Sequence, residues 1–266
     1  MSLDRLDRGA ADGSADERLT AAQLQAFRQN GWVLAPGFFD AAGTALIEQW
    51  TREVLARPET PGEHMVYYED SLQQPGERIV QRIEYFCGYH DRFDRLVNGE
   101  LKAAVARLLD EKAALFKEKI NFKMPGGAGF EPHQDQQAGW SAYAPLFVTA
   151  LVSIDAATEA NGCLEMASGQ KATGLIGREW EPLSEAEMAE LKLEPIPTAP
   201  GDVLFFDSYA PHASKPNGTD QARRILYLTY NRARDGDHRA RYFADKRANF
   251  PPDIERAPGT EYRFRV

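Results

Sequence analysis

Residues 114–135 read ALFKEKINFKMPGGAGFEPHQD, and the rhythm of this stretch decides the fold. Upstream of it, apolar residues recur three and four apart; within it, apolar and polar residues alternate. The first period marks amphipathic helix and the second half-buried strand. Short runs of the second kind follow at 147–154, 163–166, 202–207 and 224–230, separated by Gly, Pro and Asn turn residues. Helical pieces followed by short strands predict an α+β fold, a jelly roll or β-barrel with helices packed outside.

Working towards the N-terminus, Thr20 is an N-cap for a helix carrying Leu24 and Phe27, and Gly31 ends it. Trp32 to Leu34 reads as a short strand closed by Pro36-Gly37. Asp40 caps a second helix with Ala45, Leu46, Trp50, Val54 and Leu55 along its apolar stripe. Residues 58–81 read as loop around a short extended piece, Met65 to Tyr68. A helix over about 99–113 places Leu101, Val105, Leu108 and Leu109 on one face, and 179–196 reads as a helical insertion. Residues 1–18 lack periodicity and are expected to form a disordered tail. The remainder, 19–266, is expected to be one domain: a helical entry (19–113), a jelly-roll core (about 114–231) and an Arg-rich extension (232–266). That extension is placed to cover the active-site mouth or a subunit contact.

Forty acidic residues outweigh 31 basic ones, a net charge of −9. An acidic chain without basic blocks argues against a nucleic-acid partner. No apolar run approaches the roughly 18–20 residues that span a bilayer, and the opening residues lack a secretory signal's apolar centre. Cys87 and Cys163 form no CxxC, so both are expected to be free, buried thiols in a reduced cytoplasmic compartment.

Chemistry concentrates in FEPHQD. His133 and Asp135 are two apart, so on an extended segment both heads reach one point. His212, 77 residues beyond Asp135 and after a predicted strand, is the best candidate for a third ligand. Two imidazoles and a carboxylate on one side of an ion form the facial triad of non-haem Fe(II) oxygenases, which leaves positions open for a cosubstrate and O2. Eleven residues after His212 comes Arg223, whose guanidinium suits a dicarboxylate cosubstrate. Arg223, Ile225, Tyr227 and Thr229 share one strand face and Arg224 the other. Strand pattern alone leaves open which arginine points inward.

FEPHQD, NGCLEMASG (161–169), PGDVLFFDSYAPHAS (200–214) and Arg223 together resemble the phytanoyl-CoA dioxygenase family of Fe(II)/2-oxoglutarate oxygenases. LTAAQLQAFRQNGWVLAPGFFD (19–40), RIEYF (82–86) and LFKEKINFKMPGG (115–127) are similar to that family as well, so the resemblance spans about residues 19–231. It implies a double-stranded β-helix, a cupin-like jelly roll with flanking N-terminal helices. It also implies Fe(II) as metal, 2-oxoglutarate as cosubstrate and O2 as oxidant, with succinate and CO2 released as a substrate C–H bond is hydroxylated. Through the resemblance, His133, Asp135 and His212 become the iron ligands and Arg223 the clamp on the distal carboxylate of 2-oxoglutarate. Ser214 assists that clamp, Gln134 lies near the cosubstrate, and Lys119 and Asn121 sit on the strand that supplies cosubstrate contacts. The family's Gly-Ser-His after the NG(C/P)L strand is replaced here by Ala167-Ser168-Gly169-Gln170, a departure that touches no metal ligand. Halogenating relatives lose the carboxylate that Asp135 retains, which favours hydroxylation or another oxidation. Both histidines bind iron only when neutral, so activity is expected to fall below about pH 6.

Arg82, Glu84, Gln137, Trp140 and Tyr143, with Lys171, are expected around the substrate pocket. This polar and aromatic mixture predicts a small polar metabolite rather than an acyl-CoA chain. Organophosphonates such as 2-aminoethylphosphonate, handled by bacterial relatives, would need Arg or Lys at the phosphonate. Arg82 and Glu84 would suit a zwitterion, or simply pair with each other. The Lys117, Lys119, Lys123 run reads as a solvated strand face or as barrel-mouth contacts, and His64, His90 and His238 as surface or supporting groups. A natural-product hydroxylase on the same scaffold, a cupin-type enzyme without 2-oxoglutarate and a non-catalytic binder are the alternatives.

Overall fold

The computed structural model describes residues 18–169 and 171–262. The expected tail therefore lies outside the described residues, apart from Arg18, which is held by an ion pair to Glu100 (2.7 Å) and a hydrogen bond to the Phe38 carbonyl.

The entry follows its local signals. Helix α1 (Ala21–Asn30) begins at a Thr20–Gln23 capping box and ends at Gly31 in the left-handed region, φ 78°. Strand β1 (Trp32–Ala35) leads to α2 (Ala41–Leu55), capped by Asp40. The buried face of α2 is Thr44, Ile47, Trp50, Thr51 and Val54; Ala45 and Leu55 of the expected stripe are exposed. The helix lies rotated by about one position because Ile47 and Thr51 turn inward, and the Thr51 hydroxyl donates to the Ile47 carbonyl at 2.8 Å.

The next segment holds two elements that the sequence reading did not anticipate. The loop expected through residue 81 is interrupted by a hairpin, β2 (Met65–Asp70) with β3 (Arg78–Glu84). The helix expected over about 99–113 is present as α4 (Glu100–Leu109), but a further helix, α3 (Asp91–Asn98), precedes it and is separated from it by Gly99. Cross-strand pairing and a break between two consecutive helices leave little trace in hydrophobic period.

The core strands are β4 (Ala113–Asn121), β5 (Phe130–His133), β6 (Phe147–Ser153), β7 (Leu164–Ala167), β8 (Leu193–Ile196), β9 (Val203–Asp207), β10 (His212–Ser214) and β11 (Ile225–Arg232). They form two antiparallel sheets, ordered β1-β9-β6-β11-β4-β3-β2 and β5-β10-β7-β8. Side-chain alternation along β11 divides the core. Leu226, Leu228 and Tyr230 pack with Trp50, Phe93, Leu101 and Val105 of the helices. Ile225 and Tyr227 pack with Leu204 and Phe206, and with Leu164 and Met166 of the smaller sheet. Both faces of the large sheet are thus covered, which is why all seven residues of β6 and all five of β9 are buried. The helical insertion reduces to one turn, α5 (Glu185–Met188), before β8. The final helix, α6 (Arg239–Asn249), packs against β4. No helix among the described residues is long and apolar enough to cross a membrane. Cys87 and Cys163 are free and buried.

Candidate active site

His133 closes β5 and His212 opens β10, and the two are register partners. That pairing sets the imidazoles side by side, ring centroids 4.3 Å apart. The chain then leaves the strand in a 3-10 turn that begins at Asp135. One ligand atom from each of His133, Asp135 and His212 lies within 4.8 Å of the others. Each imidazole directs Nδ1 at the carbonyl two residues earlier, His133 at Glu131 (2.7 Å) and His212 at Ala210 (2.9 Å). With Nδ1–H donating to these carbonyls, both Nε2 lone pairs remain for an ion.

Electrostatics favour the ligating protonation states. Burial, reinforced by His212, pushes His133 down to about 3, and burial lowers His212 also. Burial works against the Asp135 carboxylate, but His212, Lys117 and Lys119 outweigh it and hold its pKa low. Neutral imidazoles beside an ionised carboxylate are a donor set that fits Fe(II) and leaves other coordination positions open.

Beside the triad lies a small chamber of about 30 Å3, lined by Lys117, Lys119, Asn121, Ser214, Tyr227 and Thr229 among others. Arg223 interacts with Tyr227 of that lining, is 1% exposed, and has no hydrogen-bond partner at Nε or Nη1. Buried guanidinium donors without acceptors are costly unless an anion meets them, which fits a carboxylate arriving here. Arg224 turns the other way, and its Nη2 and Nε bind Asp155 at 2.7 and 2.8 Å. This resolves the ambiguity of the strand pattern. Lys123 is buried too, and its ammonium donates to Ser214 Oγ at 2.8 Å and the Lys215 carbonyl at 2.5 Å. Burial, then Arg223, bring Lys123 down to about 7.

A larger cavity of about 810 Å3 opens beside His133 and Asp135. Of the expected substrate residues, Arg82, Glu84, Trp140 and Tyr143 line it. Arg82 and Glu84 do pair, Nε to Oε1 at 2.8 Å. Lys117 and Lys119 face inward rather than into solvent, their ammonium groups 4.1 Å from the Trp140 ring centroid and 4.7 Å from that of Tyr227. Neither makes a hydrogen bond or ion pair with another described residue.

Two expected site residues are used elsewhere. Gln134 sits between two ligands on an extended chain, so its side chain points away from them. Its amide donates to the Gly174 (3.0 Å) and Tyr209 (2.6 Å) carbonyls and accepts from Ile176 N–H (2.7 Å). Gln137 donates to the Arg178 and Glu181 carbonyls, both at 2.8 Å. Both glutamines tie the 174–183 segment to the ligand-bearing strand, and neither lines the chamber or the larger cavity beside the triad. Lys171 pairs with Asp207 at 2.8 Å instead of flanking the mouth. Of the three histidines expected as surface or supporting groups, His64 is 2% exposed, His90 pairs with Glu53 and His238 with the Asp235 carbonyl.

The inward lysine face had a visible signal, because Lys117, Lys119 and Asn121 share strand parity. Tyr242, Asp245 and Lys246 of α6 and Trp180 also line the large cavity, and nothing local in the sequence marks them. Trp180 covers the mouth over Gly139 (φ 72°), where any Cβ would overlap the indole.

The family model described as phytanoyl-CoA dioxygenase (PhyH) matches residues 27–225. The 2-aminoethylphosphonate dioxygenase of Uncultured bacterium HF130_AEPn_1 is 42% identical over 245 residues, covering 91% of this chain and 93% of that protein. The methylphosphonate hydroxylase of Gimesia maris is 39% identical over 234 residues, covering 87% and 88%. In fold, the chain is similar to the crystal structure of EctD from S. alaskensis with 2-oxoglutarate and 5-hydroxyectoine. The TM-score is 0.68 at 21% identity, over 88% of this chain and 82% of that one.

Proposed function

Because this chain belongs to the phytanoyl-CoA dioxygenase family, we propose that it hydroxylates a C–H bond of a small organophosphonate. The reaction class is that of an Fe(II)- and 2-oxoglutarate-dependent dioxygenase. The observation that carries the substrate reading is the pair of inward cations, Lys117 and Lys119, beside the His-Asp-His cluster.

His133 and His212 hold iron through Nε2 and Asp135 through its carboxylate, the rings kept in register by the Glu131 and Ala210 carbonyls. Arg223 and Ser214 receive the distal carboxylate of 2-oxoglutarate, and Lys123 orients the Ser214 hydroxyl. Lys119 and Asn121, which line the small chamber beside the triad, contact the cosubstrate. Bound iron, with 2-oxoglutarate and O2, supplies the oxidising power that converts C–H to alcohol and releases succinate and CO2. Lys117 and Arg82 draw the phosphonate into the larger cavity. Trp140, Tyr242 and Phe250 exclude water from its wall, so the charged contacts act in a low dielectric. We place the enzyme in the cytoplasm, a reading supported by two buried free thiols.

Anaerobic titration with Fe(II) and 2-oxoglutarate is expected to develop the visible charge-transfer band of the chelate. Admitting O2 should then release succinate in step with oxidation of 2-aminoethylphosphonate, and Asp135→Ala should do neither. An intact protein that forms no band, or that oxidises long acyl-CoA in preference to phosphonates, overturns the reading.

A further inference from the structure

The wall of the large cavity divides by burial. Lys117 and Trp140 lie out of water, whereas Trp180 is 46% exposed and stands at the rim with Arg241, Asp245 and Glu261. Trp180 has φ 67°, a left-handed conformation that strains any residue but glycine and persists only where the surroundings impose it. Here they do. Trp180 N–H donates to the Gln137 carbonyl at 2.7 Å, and the Gln137 amide binds the carbonyls of Arg178 and Glu181 on either side. Leu183 N–H, just beyond, donates to the Pro132 carbonyl at 2.8 Å. The indole then rests on Gly139, where an added Cβ would stand 2.1 Å from its Cζ2. Backbone strain and a glycine thus hold one large aromatic side chain at the rim of the cavity beside His133 and Asp135.

Other aromatic walls of the cavity already carry cations. Lys117 lies over Trp140 and Tyr242, and Arg241 over Tyr143 at 4.9 Å. No cation and no second ring among the described residues lies on the Trp180 indole. Charge at the rim permits a cation there. The Tyr143 hydroxyl and Arg241 Nε both approach Asp245 Oδ2, at 2.6 and 3.7 Å, and no described residue bonds to Oδ1. Glu261 is a second carboxylate of the rim. An indole without a ring or cation partner, held under strain at the rim of a ligand cavity, is suited to a cation of the ligand.

We propose that Trp180 is a specificity-determining residue that selects, among organophosphonates, those carrying a primary ammonium, which it receives on the indole face. This rests on the organophosphonate reading above and goes beyond it by naming the substrate's second functional group and the residue that reads it. An alkylphosphonate of the same length meets the indole with an apolar end, which gains contact but no attraction to the ring quadrupole.

The test measures anaerobic binding of 2-aminoethylphosphonate and of propylphosphonate, which has a methyl group in place of the ammonium, to the enzyme loaded with Fe(II) and 2-oxoglutarate. Wild type is expected to bind the amine more tightly. W180L keeps an apolar side chain at the rim and removes the π face. It should weaken the amine by about fivefold and leave propylphosphonate within about twofold. W180F, which keeps an aromatic face, should retain most of the preference. Should W180L misfold, W180G decides, because glycine adopts φ 67° without strain, and the same loss of preference is expected. A folded W180L, or W180G in its place, that keeps the wild-type preference or weakens both ligands equally overturns the assignment. So does a wild type that binds the two alike. A wild-type enzyme that binds iron and 2-oxoglutarate but neither binds nor oxidises a phosphonate overturns the underlying reading instead.

Discussion

His133 and His212 are cross-strand partners whose ring centroids stand 4.3 Å apart, each ring pinned through Nδ1 to the carbonyl two residues before it. One antiparallel register thus sets the spacing of two imidazoles separated by 79 positions in the chain, while the carbonyl two residues before each ring selects its tautomer. Register of this kind is stiff, because a slip of one residue would turn one imidazole to the opposite face.

Acid should unfold the metal-free protein along a specific window. His133 is held at about 3, below the ordinary 6.5, so the unfolded chain binds the extra proton between those values. Its contribution to stability is complete above about pH 6.5 and is lost as pH falls towards 3. Denaturant titrations of wild type and His133→Gln across this range check it, the variant showing the shallower slope. The same shift revises the sequence-based expectation for activity. Burial keeps His133 neutral well below pH 6, so iron binding is expected to survive there.

Affinity for 2-oxoglutarate should weaken as pH rises above about 7. Lys123 stands at about 7 in the folded protein, next to Ser214 and Arg223, so above that pH an arriving dianion must recharge it. Affinity then falls by up to about tenfold per pH unit for the one proton taken up. Calorimetric titration of wild type and Lys123→Met checks this, the variant binding more weakly but without that slope. Stability moves the other way. The unfolded lysine holds its proton up to about 10.5, so this group alone makes stability rise with pH from 7 to 10.5.

Removing Arg223 should separate cosubstrate binding from metal binding. Arg223→Met is expected to weaken 2-oxoglutarate by about 100-fold, the effect of losing a bidentate buried charge contact, while iron affinity is unchanged. Parallel iron and 2-oxoglutarate titrations check it. Equal losses of both would show that Arg223 supports the metal ligands instead.

Docking of the C-terminal helix depends on a second buried carboxylate. Glu118, 0% exposed, receives Arg239 Nε at 2.9 Å and Nη2 at 2.5 Å, and the Cys87 N–H at 3.1 Å. Arg239→Ala leaves that carboxylate without its cation and should cost about 3 kcal/mol, whereas Glu118→Gln with Arg239→Ala should cost less. Thermal or denaturant unfolding of the two variants measures the difference.

By itself, the amino-acid sequence determined the order and kind of most elements and picked out the candidate metal-binding cluster. Period and capping residues are local, so Thr20, Gly31, Asp40 and the alternating runs were legible without any partner. His133, Asp135, His212 and Arg223 were legible because their chemistry is rare in combination. Tertiary structure decided where side chains point when both faces of a strand are covered. It turned Arg223 inward and Arg224 onto Asp155, and it brought Lys117 and Lys119 into the cavity wall. It gave the amides of Gln134 and Gln137 to the 174–183 segment, and it carried Lys246 to a glutamate 162 positions away. Those choices depend on burial and on partners distant in the chain, and local periodicity carries information about neither.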